Sequence, residues 1–207
     1  MKALLFTIAL LTSSAAFANP SVSVETTKGS FTIELDAEHA PVSVDNFLRY
    51  AKDGSYIGSI FHRIIPGFMV QGGGFTQDMQ RLPTYAPIQN EASNGLQNLR
   101  GSIAMARTQD PNSATRQFFI NLVDNGFLDY GQRPPGYAVF GRVTSGFDVI
   151  ASMSSVKTGS RGFMRDVPEE PIVITNVTLY ESSPTATDNE QEKALEAAIS
   201  QLEQQNN

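Results

Sequence analysis

The sequence predicts a mainly β domain built from eight antiparallel strands and two short helices. Eight apolar or alternating segments, separated by turn-forming residues, are typical of strands. Two further segments space their apolar residues by three and four, which is typical of amphipathic helices. These elements suit a closed eight-stranded antiparallel β-barrel capped by two α-helices, because closure removes exposed strand edges. The pattern alone leaves a β-sandwich open as well.

The first two strands form a predicted hairpin. Val22 and Val24 alternate with polar residues before the turn at Lys28-Gly29, and the alternation resumes from Phe31 to Leu35. The other six strands are predicted at residues 60–65, 68–72, 101–106, 117–122, 137–143 and 171–180.

The helices are predicted from their apolar spacing. The first follows Pro41, stops at Gly54, and has apolar residues at i, i+3, i+4 and i+7: Val44, Phe47, Leu48 and Ala51. The second is GFDVIASM, residues 146–153. Residues 75–100 show no periodicity, and a loop of that length in a small domain is usually functional surface.

Residues 1–18 are predicted to be a signal peptide. Lys2 precedes an apolar run, and Ala16-Phe17-Ala18 resembles a cleavage site. The run is shorter than the roughly 20 residues that span a bilayer. We therefore expect export to the periplasm, with secretion as the alternative, and no membrane anchor on the mature chain.

A tail is predicted after the main domain. Residues 19–181 form the predicted domain, and residues 182–207 are an acidic linker and tail that could be helical. Apolar residues at helical spacing support a short helix there: Leu195, Ala198, Ile199 and Leu202. At this length a frayed, solvated tail is the simpler interpretation, and a docking helix is the alternative.

Composition excludes several classes of protein. The chain has no cysteine, which excludes disulfide scaffolds, thiol nucleophiles and cysteine metal sites. Its two histidines, His39 and His62, lack metal-ligand spacing, so we expect no metal and no cofactor. The net charge of -6 resides mostly in the tail, and no basic cluster is present. A nucleic-acid partner is therefore not expected.

Strand alternation predicts a functional face outside the barrel. In a regular strand at residues 60–65, His62 and Ile64 would fill the barrel while Arg63 points outward. Likewise Phe118 and Ile120 would point inward, opposite Gln117, Phe119 and Asn121. An outer face with a guanidinium, amides and aromatic side chains is typical of a binding site. His62 is interpreted as a structural histidine hydrogen-bonded within the barrel, and a hydrolytic triad is not supported.

Four stretches carry a family resemblance. They are FHRIIPGFMVQGG (61–73), MARTQDPNSATRQFFIN (105–121), FLDYG (127–131) and GYAVFGRV (136–143). In this order they resemble the cyclophilins, the cyclosporin-binding peptidyl-prolyl cis-trans isomerases, and the match is collinear from about residue 20 to 180. Residues 90–107 resemble the bacterial branch, and with the leader they indicate the exported, periplasmic cyclophilins.

The resemblance implies the closed barrel with two capping helices and assigns roles to matching positions. It implies Arg63 as the catalytic donor, Gln71 as the residue that orients it, and Phe119 as a third catalytic position. The implied substrate-binding positions are Phe68, Met69, Ala106, Arg107, Gln117, Phe127, Leu128 and Tyr137. The proline-ring pocket would consist of Phe68, Met69, Phe119 and Leu128. Since Phe68 and Met69 are neighbours in sequence, the chain must bend near Gly67 for both to face it.

Three positions depart from the common pattern of the family. Phe127 stands where many members have a tryptophan, and it lacks the indole N–H donor, so we expect cyclosporin to bind weakly. Tyr137 replaces a frequent histidine but keeps an aromatic wall. Arg107 replaces a usual asparagine, which would alter preference near the proline while leaving backbone recognition in place.

The expected chemistry is rotation about X-Pro bonds, without a cofactor. Planarity of the bond comes from conjugation of the prolyl nitrogen lone pair, and rotation without catalysis takes tens to hundreds of seconds. In the twisted state that nitrogen can accept a hydrogen bond, which Arg63 can donate. We expect a monomeric enzyme that acts on unfolded or folding proteins. The alternative is a cyclophilin-fold chaperone or adaptor that binds proline-containing segments with little turnover.

Overall fold

The computed structural model describes residues 19–132 and 134–180, so the predicted signal peptide and the whole of the predicted tail lie outside the described residues. The described strands are β1 (Ser21–Thr26), β2 (Gly29–Leu35), β3 (Ile60–Ile65), β4 (Met69–Gly72), β5 (Ser102–Met105), β6 (Phe118–Asn121), β7 (Val139–Ser145), β8 (Thr158–Arg161), β9 (Met164–Pro168) and β10 (Ile172–Tyr180). The helices are α1 (Pro41–Lys52) and α2 (Phe147–Met153), with a 3-10 turn at Gly126–Leu128.

Eight of these strands close into an antiparallel barrel. Their order is β1-β10-β3-β4-β6-β5-β7-β2, and β2 pairs back with β1. Each barrel strand therefore has two hydrogen-bonded neighbours, which distinguishes a barrel from a sandwich. The eight strands and two helices predicted from the pattern are confirmed. No helix in the described ranges is long and apolar enough to span a membrane.

Aromatic side chains fill the barrel. Phe61 packs edge-to-face on Phe118 with ring centroids 6.0 Å apart, and Phe31 meets Phe61 at 6.3 Å. Helix α1 covers one end, since its Phe47 contacts Phe118 at 5.6 Å and Phe140 at 5.4 Å. We call the buried residues around these rings the inner cluster.

A β-bulge in β3 makes one sequence prediction wrong. Between the pairs Phe61–Gly72 and Arg63–Gln71, β3 has one more residue than β4. The extra residue shifts the alternation, so Phe61 and Ile64 both belong to the inner cluster. His62, predicted to fill the barrel, instead lies outside that cluster with its ring 4.7 Å from Phe75.

The long loop between β4 and β5 holds the start of α1. Ala40, which precedes α1, has no side chain able to cap it. Glu91 supplies the missing acceptors from the loop: its carboxylate accepts hydrogen bonds from the backbone N–H of Val42 at 3.0 Å and of Ser43 at 2.7 Å. A carboxylate at a helix N-terminus also interacts favourably with the helix dipole.

Strands β8 and β9 form a hairpin that the sequence pattern did not predict. It is a separate two-stranded sheet outside the barrel order. Its sequence, TGSRGFMRDVP, lacks a clear apolar alternation, and only Val167 and Pro168 within it are buried. Strand β9 lies against β3, and it therefore lies beside Arg63.

Candidate active site

One row of paired residues crosses the outer face of the barrel. Arg63 on β3 pairs with Gln71 on β4, Gln71 pairs with Phe119 on β6, and Phe119 pairs with Ala104 on β5. Their sequence neighbours Ile64, Val70 and Ile120 belong to the inner cluster. Because side chains alternate along a strand, the row faces outward. The predicted outward orientation of Arg63 and Phe119 is confirmed, because pairing is regular from Arg63 to Ile65 and the bulge changes only the positions of Phe61 and His62.

An apolar cluster surrounds the Phe119 end of this row. Its buried members are Met69, Ala104, Phe119, Leu128 and Val139. Partly buried residues pack against them: Ile65, Phe68, Leu96, Ala106 and Tyr137. We call these ten residues the outer cluster. The four residues of the predicted proline pocket, Phe68, Met69, Phe119 and Leu128, all belong to it.

A turn before β4 brings two neighbouring residues to the outer cluster. The backbone N–H of Phe68 donates to the carbonyl of Ile65 at 3.1 Å, and Gly67 has φ +71°. A positive φ at the third position of a β-turn favours glycine. Phe68 lies before the strand and Met69 within it, so both contribute to one cluster, as predicted.

Buried asparagines hold the two sides of the outer cluster together, and sequence analysis missed them. The Asn125 amide donates to the Phe68 carbonyl at 2.9 Å and to Asn121 at 2.7 Å. The Asn121 amide donates to Asn98 at 3.2 Å, and Asn98 in turn donates to Asp129 at 2.9 Å. Polar groups buried in such a chain are costly to leave unpaired, so the network fixes the turn that carries Leu128.

Aromatic side chains form two walls of the site. Phe127 stacks on Phe68 with ring centroids 5.6 Å apart and is 52% exposed. On the other side Tyr137 meets Phe119 edge-on at 5.7 Å. The Arg107 guanidinium lies over the Tyr137 ring at 4.3 Å, and its Nε donates to the Gly136 carbonyl at 2.9 Å.

The amides beside Arg63 bond to each other. Gln71 Nε2 donates to Gln117 Oε1 at 3.0 Å, so the described hydrogen bond of Gln71 goes to Gln117 rather than to Arg63. Gly74 makes room for Gln117, because a Cβ at that position would lie 2.5 Å from the Gln117 Cγ. The two amides therefore form a polar strip between Arg63 and Ala106, whose N–H donates to the Gln117 carbonyl at 2.9 Å.

Arg63 itself is half-exposed, and His62 beside it is buried. The Arg63 side chain is 40% exposed, and its Nε lies 3.8 Å from Asp166 Oδ2. His62 is 2% exposed, and its Nδ1 has no hydrogen-bond partner among the described residues. Burial lowers the pKa of His62 to about 4, and the nearby Arg63 charge acts in the same direction. His62 is therefore neutral at pH 7. The predicted position of His62 inside the barrel is wrong, but His62 is a buried residue as expected of a structural histidine.

The described ranges contain no cluster of side chains suited to binding a metal ion. Residues 19–132 and 134–180 contain no group of three or more His, Asp or Glu side chains that could hold a metal ion. What the site presents is a guanidinium, paired amides and an apolar pocket. Such a set can bind an apolar ring and donate hydrogen bonds to acceptor groups beside that ring without forming a covalent bond.

The closed barrel capped by helices is a fold that a solved structure shares. A solved cyclophilin type peptidyl-prolyl cis-trans isomerase of Cryptosporidium parvum superposes with a TM-score of 0.65 at 24% identity, covering 80% of this chain and 99% of that one. At this identity the likeness shows the fold alone.

Sequence comparisons define the family. The family model for cyclophilin type peptidyl-prolyl cis-trans isomerase/CLD matches residues 21–179. Peptidyl-prolyl cis-trans isomerase A of Dickeya dadantii is 53% identical over 165 residues, 80% of this chain and 87% of that protein. A peptidyl-prolyl cis-trans isomerase of Streptomyces antibioticus is 53% identical over 162 residues, 77% of this chain and 98% of that protein. The chain belongs to the cyclophilin-type peptidyl-prolyl cis-trans isomerases.

The activity is therefore isomerisation of X-Pro bonds in peptides and proteins. The enzyme predicted from the sequence resemblance is confirmed, together with its fold.

Proposed function

We propose that Arg63 donates a hydrogen bond to the prolyl nitrogen of the twisted X-Pro bond while the outer cluster holds the proline ring. The observation that supports this most is the cross-strand row, in which Arg63 and Phe119 flank Gln71 on one face. Adjacent strands lie about 4.8 Å apart, so the guanidinium and the pocket floor are within reach of one dipeptide.

The chemistry needs no covalent change. A charge-assisted hydrogen bond contributes about 1.5–3 kcal/mol, which corresponds to a ten- to hundredfold rate increase from Arg63 alone. The rest of the acceleration comes from the pocket of Phe68, Met69, Phe119 and Leu128. It immobilises the ring, and a dry environment around the carbonyl weakens the resonance that favours planarity.

The substrate backbone would run along the polar strip. Gln117, with Gln71 behind it, is proposed to face the residues before the proline, and the backbone at Ala106 and Arg107 continues that path. The Arg107 side chain is tied to Gly136 and Tyr137. It therefore shapes the rim of the pocket on the side opposite the wall formed by Phe127.

Replacing Arg63 by alanine tests this mechanism. We expect kcat/KM for a short X-Pro peptide to fall ten- to hundredfold while circular dichroism and the thermal midpoint stay as in the wild type. Arg142→Ala is the matched control, since Arg142 is an exposed strand arginine whose partner is Glu34 at 3.3 Å. Wild-type turnover in Arg63→Ala would contradict the proposed donor. Binding without acceleration by the wild-type protein would favour the adaptor alternative.

We further propose that the enzyme is a periplasmic monomer that acts on exported proteins during folding. The support is the leader pattern of residues 1–18. Fractionation of cells expressing the full chain, followed by N-terminal sequencing, should find a mature protein that begins at Asn19 in the exported fraction. An intact Met1 in the cytosolic fraction would contradict export, and sedimentation above the monomer mass would contradict the monomer.

We propose that cyclosporin inhibits this enzyme weakly. Phe127 offers an apolar ring but no N–H donor, and burying an unpaired acceptor of the inhibitor is unfavourable. Inhibition titrations of the wild type and Phe127→Trp should show the tryptophan variant binding about ten times more tightly. Equal inhibition of both proteins would contradict this role of residue 127.

A further inference from the structure

The β8–β9 hairpin brings a carboxylate to the catalytic face. Val167 on β9 is buried and anchors the hairpin base. Arg161 on β8 fixes the hairpin to its surroundings, because its guanidinium donates to the carbonyls of Glu169 at 3.1 Å and Gln77 at 3.4 Å. The hairpin is thus held against the barrel on two sides, beside β3.

Asp166 on β9 has an unusual backbone that sets its direction. Between the pairs Gly159–Val167 and Arg161–Met164, β9 has one more residue than β8. Asp166 lies in this bulge with φ +61°, in the left-handed region that aspartate and asparagine tolerate better than other non-glycine residues. Bulges re-aim side chains, and here the carboxylate reaches Arg63 instead of a hairpin partner.

The contact with Arg63 is an ion pair on one edge of the guanidinium. Arg63 Nε lies 3.8 Å from Asp166 Oδ2, and the two side chains are 40% and 43% exposed. This distance is too long for a hydrogen bond. Within residues 19–132 and 134–180, no other carboxylate forms an ion pair with Arg63, and Gln71 is engaged with Gln117. The terminal amino groups of Arg63 remain available to a substrate.

We infer that Asp166 is a positioning residue for Arg63, holding the guanidinium over the outer cluster before the substrate arrives. The inference rests on the proposed role of Arg63. An arginine side chain loses much rotamer freedom when it is fixed, and a carboxylate at Nε removes part of that freedom in advance. Asp166 acts through Arg63 and does not touch the substrate.

The expected effect is modest. Loss of an ion pair between half-exposed side chains changes an equilibrium constant or a rate constant by about two- to fivefold. Because the pair orients a donor used in the transition state, the loss should fall on kcat while KM changes little. A loss confined to KM would indicate ground-state binding instead.

Asp166→Asn is the variant of choice, because asparagine also tolerates the left-handed backbone and should let the hairpin fold. With a short X-Pro peptide we expect kcat to fall two- to fivefold at unchanged KM, and Asp166→Glu to recover at least half of the loss. Glu169→Gln, directly after the hairpin, is the matched control: Glu169 is an exposed carboxylate with no ion pair among the described residues, and the variant should match the wild type.

A double mutant distinguishes this inference from the proposed function. In the Arg63→Ala background, Asp166→Asn should have no further effect on kcat. An equal loss in both backgrounds would show that Asp166 acts independently of Arg63 and would overturn the inference, although the role of Arg63 would stand. If Arg63→Ala itself retained full turnover, both would fail.

Nuclear magnetic resonance supplies a readout that does not depend on activity. In the free protein the Arg63 Nε–Hε resonance should shift, and its exchange with solvent should accelerate, in Asp166→Asn but not in Glu169→Gln. An identical resonance and exchange rate in wild type and Asp166→Asn would overturn the inference.

Discussion

Two arginines of this protein occupy opposite environments. Arg116 is 2% exposed, and its guanidinium donates to the carbonyls of Gly73 at 2.6 Å, Pro83 at 2.8 Å and Ser55. It also lies over the ring of Tyr50 at 5.1 Å. Arg63 is half-exposed, and no backbone carbonyl among the described residues accepts a hydrogen bond from it.

The same side chain is hydrogen-bonded through every guanidinium nitrogen at one position and, within residues 19–132 and 134–180, leaves its terminal donors unpaired at the other. The Arg116 guanidinium donates hydrogen bonds to chain segments that are far apart in sequence. Burial lowers its pKa, but the side chain remains charged. It therefore holds the loop after β4 and supports Gln117, the next residue. Arg63 keeps its terminal donors unpaired among the described residues and can offer them to a substrate.

Removing the Arg116 side chain should produce the largest effect. Arg116→Ala leaves three carbonyls without their donor, and each buried unpaired group costs about 1–3 kcal/mol. We expect the free energy of unfolding in urea to fall by about 3 kcal/mol or more. Arg63→Ala is the control for stability and should change it by no more than about 0.5 kcal/mol. Equal losses in the two variants would remove the distinction.

The stability of the protein should decrease in acid because of His62, the buried neighbour of Arg63. The pKa of His62 is about 4 in the folded protein against 6.5 for an ordinary histidine. Below about pH 6.5 the unfolded state therefore binds a proton that the folded state does not, and the free energy of unfolding falls as pH decreases to about 4. The loss should total about 3 kcal/mol, and above pH 6.5 this histidine should have no effect.

The measurement is the difference between wild type and His62→Gln in urea unfolding at several pH values. Any constant cost of the substitution cancels in the pH dependence, so the variant should lose less stability than the wild type between pH 6.5 and 4. His39→Gln is the control. His39 is exposed, and the hydrogen bond to Asp36 raises its pKa, so its contribution is lost as pH rises instead. Parallel curves for wild type and His62→Gln would contradict the buried neutral state.

The smallest effect is expected from the tail. Both arginines and the outer cluster are assembled within residues 21–180. Deleting residues 183–207 should therefore leave turnover of a short X-Pro peptide and the thermal midpoint unchanged. A large loss of either would show that the predicted tail helix docks on the barrel.

Much of the fold and site could be predicted from the sequence. Strands such as β1 and β2 alternate clearly because one face is buried, and α1 shows the spacing of a helix with one apolar side. The site followed from a run of residues around Arg63 and Phe119 that resembles one family. The need for a bend at Gly67 followed from the rule that neighbours on a strand face opposite ways.

Other features could not be predicted, because each depends on contacts between distant segments. The bulge at His62 appears only in the pairing of β3 with β4. In the sequence, Arg116 is simply one more polar residue. Its structural role depends on the carbonyls of Ser55, Gly73 and Pro83, which only the fold brings next to it. The β8–β9 hairpin has no apolar period because it packs beside the barrel instead of within it.

The element types and the family could be predicted from the sequence alone, since local periodicity and a collinear motif are properties of the chain; the catalytic roles remain a proposal drawn from that motif. Closure of the barrel, the bulge that moves His62 out of the inner cluster and the meeting of Arg63 with Asp166 were set only in the tertiary structure. Those depend on pairing and register between strands, and a shift of one residue in register reverses which face a side chain occupies.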